Sequence, residues 1–213
     1  MRSYGHIPKA TVERLPLYMR ALDELGSAGF STVSSDELAD HAGVNAPKLR
    51  KDLSHLGSYG TRGVGYDVNY LRFQIGGALG LSNTWPVVVC GFGNLGRALA
   101  NHTGFTERGF PIVAAIDNDP AKIGGVFDGV PVHAPGEIAE VVFRRHIEVG
   151  VICTPVEASQ GAADRLVAAG IRSILSFSPV VLTVPTHVEL RTVDLSTHLQ
   201  ILGFHLRNSA EKD

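Results

Sequence analysis

Three glycines at fixed spacing carry the most specific chemistry in this chain. Val87-Val88-Val89-Cys90 is a β-branched run that stops at Gly91, and Gly91, Gly93 and Gly96 follow in Gly-x-Gly-x-x-Gly order before a helix-forming apolar pattern. Such a loop holds a pyrophosphate: Gly91 allows the tight turn, Gly93 lets the backbone approach the phosphates, and Gly96 lets the helix pack closely on the strand. Phe92, Asn94 and Leu95 complete the loop, and the new helix points unpaired N–H groups and the positive end of its dipole at the anion. A second apolar strand, Pro111 to Ile116, ends in Asp117, 26 residues on from Gly91. There a dinucleotide fold places an acid on the adenosine ribose. A carboxylate at that point repels a 2′-phosphate, and no arginine occurs in Asn118-Asp119-Pro120, so NAD(H) is expected over NADP(H).

Two more predicted strands, Glu148 to Cys153 and Ile171 to Phe177, end in Thr154-Pro155 and Ser178-Pro179. Ligands of doubly wound sheets sit at the carboxyl ends of strands, so Thr154, Pro155, Phe177, Ser178 and Pro179 are expected beside the nicotinamide. A dehydrogenase needs an acid/base there, yet these loops hold neither His nor Lys. His102 and His187 are the remaining candidates, and nothing in the sequence pairs either with a carboxylate. A protein that binds the dinucleotide without turning it over fits better than an enzyme. Cys90 and Cys153 are too few for a disulfide scaffold. Both end central strands and could be neighbours, but buried strand thiols are the commoner state than a redox pair.

The elements that position these residues form an α/β chain of 213 residues, 44% hydrophobic, with 24 glycines and a net charge of −2. No apolar run approaches the roughly 18 residues of a membrane span, and the first residues lead to no signal-peptide core. A cytoplasmic protein with no membrane association and no metal is expected. Ahead of the glycine loop, residues 8 to about 28 read as a helix through Leu15, Met19, Leu22 and Leu25, with Pro16 kinking it or dividing it in two. Ser34 and Glu37 make a capping box for a short helix to His41. Gly43 then makes a tight turn, and Asn45 caps a helix from Ala46 to Leu56. Leu49, Leu53 and Leu56 form the buried stripe of that helix; Lys48, Arg50, Lys51, Ser54 and His55 fall mostly outside it. Helix, short glycine turn, helix is the arrangement whose second member enters a DNA major groove. Ser58 to Tyr66 reads as a small β-hairpin wing carrying Tyr59, with Arg62 near its tip. From Lys48 to Arg62 four cations face one anion, Asp52. This local excess, in a chain that is acidic overall, marks a surface for double-stranded DNA.

A connecting helix from Asn69 to Leu81 leads to the hinge Ser82-Asn83-Thr84. Beyond the sheet, Asp194 caps a terminal helix whose Leu195, Leu199, Leu202 and Leu206 make an apolar stripe, broadened by Ile201 and Phe204. A second subunit is its favoured partner, because helix-turn-helix readers usually bind paired half-sites as dimers. The expected domains are a winged helix-turn-helix over 1–82, a Rossmann-like doubly wound parallel sheet over 83–193, and a dimerisation helix over 194–213.

The chain resembles the Rex family of redox-sensing transcriptional repressors over nearly its full length. The resemblance rests on Ile7-Pro8-Lys9-Ala10, Leu49-Arg50-Lys51-Asp52-Leu53, the run from Tyr59 to Tyr66, the loop from Gly91 to Gly96, and Ala168-Ala169-Gly170-Ile171. It implies a homodimer that binds an inverted-repeat operator, exchanges its terminal helices, and is released from DNA by NADH. It also implies switch roles for Arg62, Asp194 and position 102. Many members carry Tyr at that last position, where this chain has His102. A His102–Asp194 hydrogen bond would make NADH-driven release depend on pH between about 6 and 8. Two enzyme readings compete. Thr154 to Ala158 is also similar to the CoA-binding domain of acyl-CoA ligases, which lack the basic helix-turn-helix; the other is a small NAD-dependent oxidoreductase.

Overall fold

The computed structural model describes residues 7–57, 59–61 and 64–210. The chain divides into two compact units, Met1–Asn83 and Thr84–Asp213.

The first unit is helical. α1 (Lys9–Val12) and α2 (Leu15–Ser27) replace a single continuous helix, because Pro16 falls in the first turn of α2, where its missing N–H costs nothing. α3 (Ser35–His41) begins with both halves of the capping box: Ser34 Oγ accepts the Glu37 N–H and the Glu37 carboxylate accepts the Ser34 N–H. α4 (Ala46–Ser54) begins where Asn45 Oδ1 accepts the Lys48 N–H at 2.9 Å. α5 (Val68–Ala78) closes the unit, capped by Asp67. Leu15, Tyr18, Leu22, Leu38, Leu49 and Leu71 are fully buried among these helices.

The wing differs from the hairpin expected over residues 58 to 66. The regular pairing is antiparallel between β1 (Thr32–Val33) and β2 (Tyr66–Asp67), and among the described residues the stretch before β2 contributes one bridge, Thr61 to Gly65. Gly65 has φ +98°, and a Cβ there would lie 2.3 Å from the Val33 carbonyl oxygen, so the wing crosses β1 at a point only glycine fits. Ser58, Arg62 and Gly63 lie outside the described residues.

The second unit is a seven-stranded sheet. β3 (Val87–Cys90), β4 (Ile112–Ile116), β5 (Val126–Phe127), β6 (Val130–His133), β7 (Val149–Ile152), β8 (Ser173–Ser176) and β9 (Glu189–Thr192) lie in the order β5-β6-β4-β3-β7-β8-β9. All neighbours are parallel except β5 with β6. The chain runs outward from β3 through β4 to β6, then returns to build β7, β8 and β9 on the other side. The switch point therefore falls between β3 and β7, where doubly wound sheets bind ligands. β3 is buried on both faces, as its unbroken apolar run requires. β5 and β9 escape sequence reading: β5 has two residues, and β9 is a largely exposed polar edge.

α6 (Asn94–Ala100), α7 (Thr103–Glu107), α8 (Ile138–Arg144) and α9 (Val156–Ala168) accompany the sheet. Two apolar clusters result, one containing Cys90, Ile116, Ile152 and Leu166, the other Val89, Phe92, Ala115 and Val132. α10 (Leu195–Ala210) stands apart from both: Leu195, Leu199, Leu202 and Leu206 are each 59% or more exposed.

Candidate dinucleotide crevice and nucleic-acid surface

A cavity of about 610 Å³ opens at the carboxyl ends of β3, β4 and β7. Gly91 turns at φ +91°, and a Cβ on it would lie 2.7 Å from the Cys153 carbonyl carbon and the Thr154 nitrogen. The loop after β3 thus presses against the loop after β7. Gly96 has the packing role read from its spacing: a Cβ would meet the Gly91 carbonyl oxygen at 2.2 Å and Val89 at 3.2 Å. At Gly93 a Cβ would meet nothing within 4 Å. Its missing side chain therefore leaves open space on the cavity wall, as a loop that admits a phosphate requires. Gly93 is also the N-cap of α6 and supplies no side-chain acceptor to its first N–H groups.

Asp117 is 8% exposed and well bound. Oδ1 accepts the Asp119 N–H at 2.9 Å, while Oδ2 accepts the Phe92 N–H at 2.8 Å and a hydrogen bond from Lys122 Nζ at 3.1 Å. Burial disfavours its charge, but the Asp119 N–H, Lys122 and the Phe92 N–H together outweigh that and hold the carboxyl below its ordinary range. The acid at the end of β4 therefore ties the glycine loop to its own strand as well as lining the cavity.

Gly91, Gly93, Leu95, Asp117, Thr154, Pro155 and Phe177 line the cavity; Phe92, Asn94, Gly96, Ser178 and Pro179 do not. Phe92 is fully buried beneath the loop and contributes only backbone. Ser178 is 2% exposed, its N–H donates to Ser176 Oγ, and its own Oγ has no hydrogen-bond partner among the described residues. Thr154 Oγ1 lies 3.2 Å from the buried Ser159 Oγ, which donates to the Pro155 carbonyl and pins the turn. Sequence reading missed Lys122, which closes a five-residue turn onto Asp117. It also missed Ala158, Ala162 and Arg165, one face of α9 toward the cavity whose i, i+4, i+7 spacing was legible.

Both cysteines are free. They are neighbours, since the Cys153 N–H donates to the Cys90 carbonyl at 2.7 Å. Cys90 pairs in register with Ile152, however, so Cys153 points to the opposite face, and the two side chains pack into different clusters. Alternation along the strand disfavours a disulfide between them. Burial pushes both thiols up to about 12, leaving them protonated and weakly nucleophilic near neutrality.

The expected His102–Asp194 hydrogen bond is not formed within the chain. His102 caps α7, its Nδ1 accepting the Gly104 N–H at 3.0 Å, and a Cβ on residue 104 would lie 2.6 Å from the ring. The Asp194 carboxylate instead accepts from the Ser196 and Thr197 hydroxyls at 2.5 and 2.6 Å, and these hydroxyls together with both N–H groups bring it down to about 2. Each side chain is occupied by the helix it starts. His187 is exposed and does not line the cavity.

In the first unit α4 presents a cationic face. Asn45, Lys48, Arg50, Lys51, Ser54 and His55 are all exposed. Arg50 Nη1 donates to Ser35 Oγ at 2.8 Å, tying α4 to the start of α3, and Ser54 Oγ donates to the Lys51 carbonyl. Tyr59, expected to face DNA, is half-buried against the core, its hydroxyl is turned to the Leu56 carbonyl, and its ring packs edge-on to Tyr70. Arg62 lies outside the described residues.

Asp52, the one acid of this segment, has left the exposed face. At 3% exposure it accepts two hydrogen bonds from Arg14, Nε to Oδ2 at 2.6 Å and Nη2 to Oδ1 at 2.8 Å. Thr11 Oγ1 adds a third at 2.9 Å and the Tyr18 hydroxyl a fourth at 2.6 Å. Burial opposes ionisation of the acid, but Arg14, Tyr18 and Thr11 overcome it and bring the carboxyl down to about 2. The same contact holds the Arg14 guanidinium firmly protonated. Burial and the Asp52 charge raise the Tyr18 phenol far above its usual range. The outer face of α4 is left to its cations.

Comparison with known proteins supplies the context for this pair of sites. Residues 6–54 match a family described as putative DNA-binding protein N-terminus, and residues 82–180 match the CoA binding domain family. A redox-sensing transcriptional repressor Rex from Streptomyces avermitilis is 57% identical over 212 residues, covering 100% of this chain and 84% of the relative. One from Pelotomaculum thermopropionicum is 46% identical over 200 residues, covering 94% of each. Among solved structures, the crystal structure of RSP with β-NAD+ and operator DNA matches with a TM-score of 0.91 at 36% identity, covering 97% of this chain and 95% of that one. RSP with β-NADH matches with a TM-score of 0.87 at 35% identity and 97% coverage of each.

Proposed function

This chain belongs to the Rex family of redox-sensing transcriptional repressors, and on that premise we propose that it represses transcription by binding operator DNA and leaves that DNA when its second unit takes up NADH. The observation that carries this reading is the chemistry of the crevice. Among the described lining residues the titratable groups are engaged or protonated: Asp117 accepts three hydrogen bonds, Lys122 is held between two carboxylates, and both thiols are protonated. Among the described residues the cradle suits a dinucleotide, which supports the reading of the protein as a sensor of the dinucleotide acting in the cytoplasm.

The residues present fit NAD(H). Gly91, Gly93 and the first N–H groups of α6 would hold the pyrophosphate, Asp117 the adenosine ribose, and Thr154, Pro155 and Phe177 the nicotinamide end. NAD+ carries a positive nicotinamide that NADH lacks, so a nearby carboxylate can engage the two forms differently. A ligand shifts the protein between states only by such a difference. Lys48, Arg50 and Lys51 supply the backbone contacts that hold α4 on the duplex. The apolar stripe of α10 is exposed in a single chain, which supports a homodimer in which the partner covers it, with two α4 helices reading an inverted repeat.

The test is an operator gel shift with NADH, NAD+ or CoA added. Reversal by NADH alone is expected. Reversal by CoA alone would favour the second reading, a CoA-dependent protein, which the match to the CoA binding domain family supports.

A further inference from the structure

At the carboxyl end of β4 three charged side chains form one group. Lys122 Nζ lies 3.1 Å from Asp117 Oδ2 and 3.6 Å from Asp119 Oδ2, and the three side chains are 29%, 8% and 45% exposed in that order. Asp117 and Lys122 both line the cavity. The Phe92 N–H, the Asp119 N–H and Lys122 already occupy three of the about four acceptor positions of the Asp117 carboxylate. One acceptor position remains, too few to take both hydroxyls of a ribose diol. The Lys122 ammonium has three donors and gives one hydrogen bond to Asp117, so it retains capacity toward the cavity.

We infer that Lys122 is a specificity-determining residue: it donates to one hydroxyl of the adenosine ribose while Asp117 accepts from the other, and the net charge of the Asp117–Asp119–Lys122 group sets how strongly a 2′-phosphate is refused. The inference rests on the dinucleotide reading above and deepens it. A hydroxyl both donates and accepts, so a vicinal diol satisfies a carboxylate and an ammonium at once. Two carboxylates and one ammonium leave the group at −1, and a 2′-phosphate adds further negative charge beside it. Neutralising Asp119, which is exposed and holds no cavity-lining position, removes part of that repulsion without touching the diol contacts.

The test is a fluorescence titration of the full-length protein with three probes: NADH, NADPH, and the NADH analogue built on 2′,3′-dideoxyadenosine. Lys122→Gln should weaken NADH about tenfold, the size of one charge-assisted hydrogen bond. The same variant should leave the dideoxy analogue within twofold of the wild-type value, and Lys122→Arg should restore NADH binding to within about threefold. Asp119→Asn should tighten NADPH severalfold and leave NADH unchanged. Lys122→Gln binding NADH like the wild type would overturn the inference. So would an equal loss for NADH and the dideoxy analogue, which would mean that Lys122 only props up Asp117. A wild-type protein that binds no NADH would remove the dinucleotide reading itself, an outcome visible before any variant is made.

Discussion

Replacing Asp52 with Asn tests whether the acid in the DNA-reading helix is an internal anchor. The carboxylate is 3% exposed and receives four hydrogen bonds from Thr11, Arg14 and Tyr18. Asn keeps the shape but loses the charge and cannot accept all four. Removing one partner of a buried ion pair costs about 3–5 kcal/mol. Linkage gives a second figure: a carboxyl moved from 3.8 to about 2 on folding contributes about 2.5 kcal/mol at neutral pH. The sign is fixed by the direction of the shift. The contribution is whole above the unfolded value near 4, declines as the pH falls, and is gone below about 2. The assay is hydrogen exchange of the α4 peptide in the full chain, beside urea unfolding, at pH 7 and pH 3. Asp52→Asn should lose protection at pH 7 by 2–4 kcal/mol, equivalent to about 30-fold or more in local opening, and differ less from the wild type at pH 3. Arg14→Met with Asp52→Leu should recover part of the loss: an apolar replacement of a buried pair is often neutral, but the buried Thr11 and Tyr18 hydroxyls lose their acceptor. If Asp52→Asn stays within 0.5 kcal/mol of the wild type at pH 7, the anchoring argument is wrong.

Four other variants have stated outcomes. Gly91→Ala places a side chain at φ +91° against the β7 loop and should lower both the melting temperature and NADH binding. Gly93→Ala meets no protein atom, so it should melt like the wild type while binding NADH at least tenfold more weakly; wild-type NADH binding by Gly93→Ala would count against the phosphate cradle. Lys51→Ala should weaken operator binding and reduce the slope of log affinity against log salt by about one, since each phosphate contact contributes roughly 0.9. An unchanged slope would put Lys51 off the backbone. Asp194→Ala should retain dinucleotide binding and lose the difference between NADH and NAD+ in a DNA-release titration; unchanged NADH inhibition would defeat that role.

What the sequence determined by itself was whatever local chemistry and periodicity can write into neighbouring residues. The capping box of Ser34 and Glu37, the Asn45 cap and the apolar run of β3 depend on residues a few positions apart, and each appears as read. The glycine loop was legible for the same reason, because turn, phosphate approach and helix packing are each imposed within six residues. Tertiary structure decided the partners of charged and polar groups. Asp52 and Arg14 are separated by 38 positions, and a string of residues shows a cation-rich segment with one acid but not that the acid has turned into the core. Tyr59 was read as a DNA contact by its place on the wing, and folding also packs one side of its ring on the core. The cysteines illustrate the same limit from the other side. Their adjacency followed from strand order, but whether they could bond depended on register, and a one-residue offset across a parallel pair puts side chains on opposite faces. The acid after β4 was expected to meet a ribose; folding brought Lys122 onto it, and the proposed ribose contact rests on that pair. Hydrogen bonds and ion pairs between distant positions are chosen by which surfaces the packed elements bring together, and that choice is made only once the core has formed.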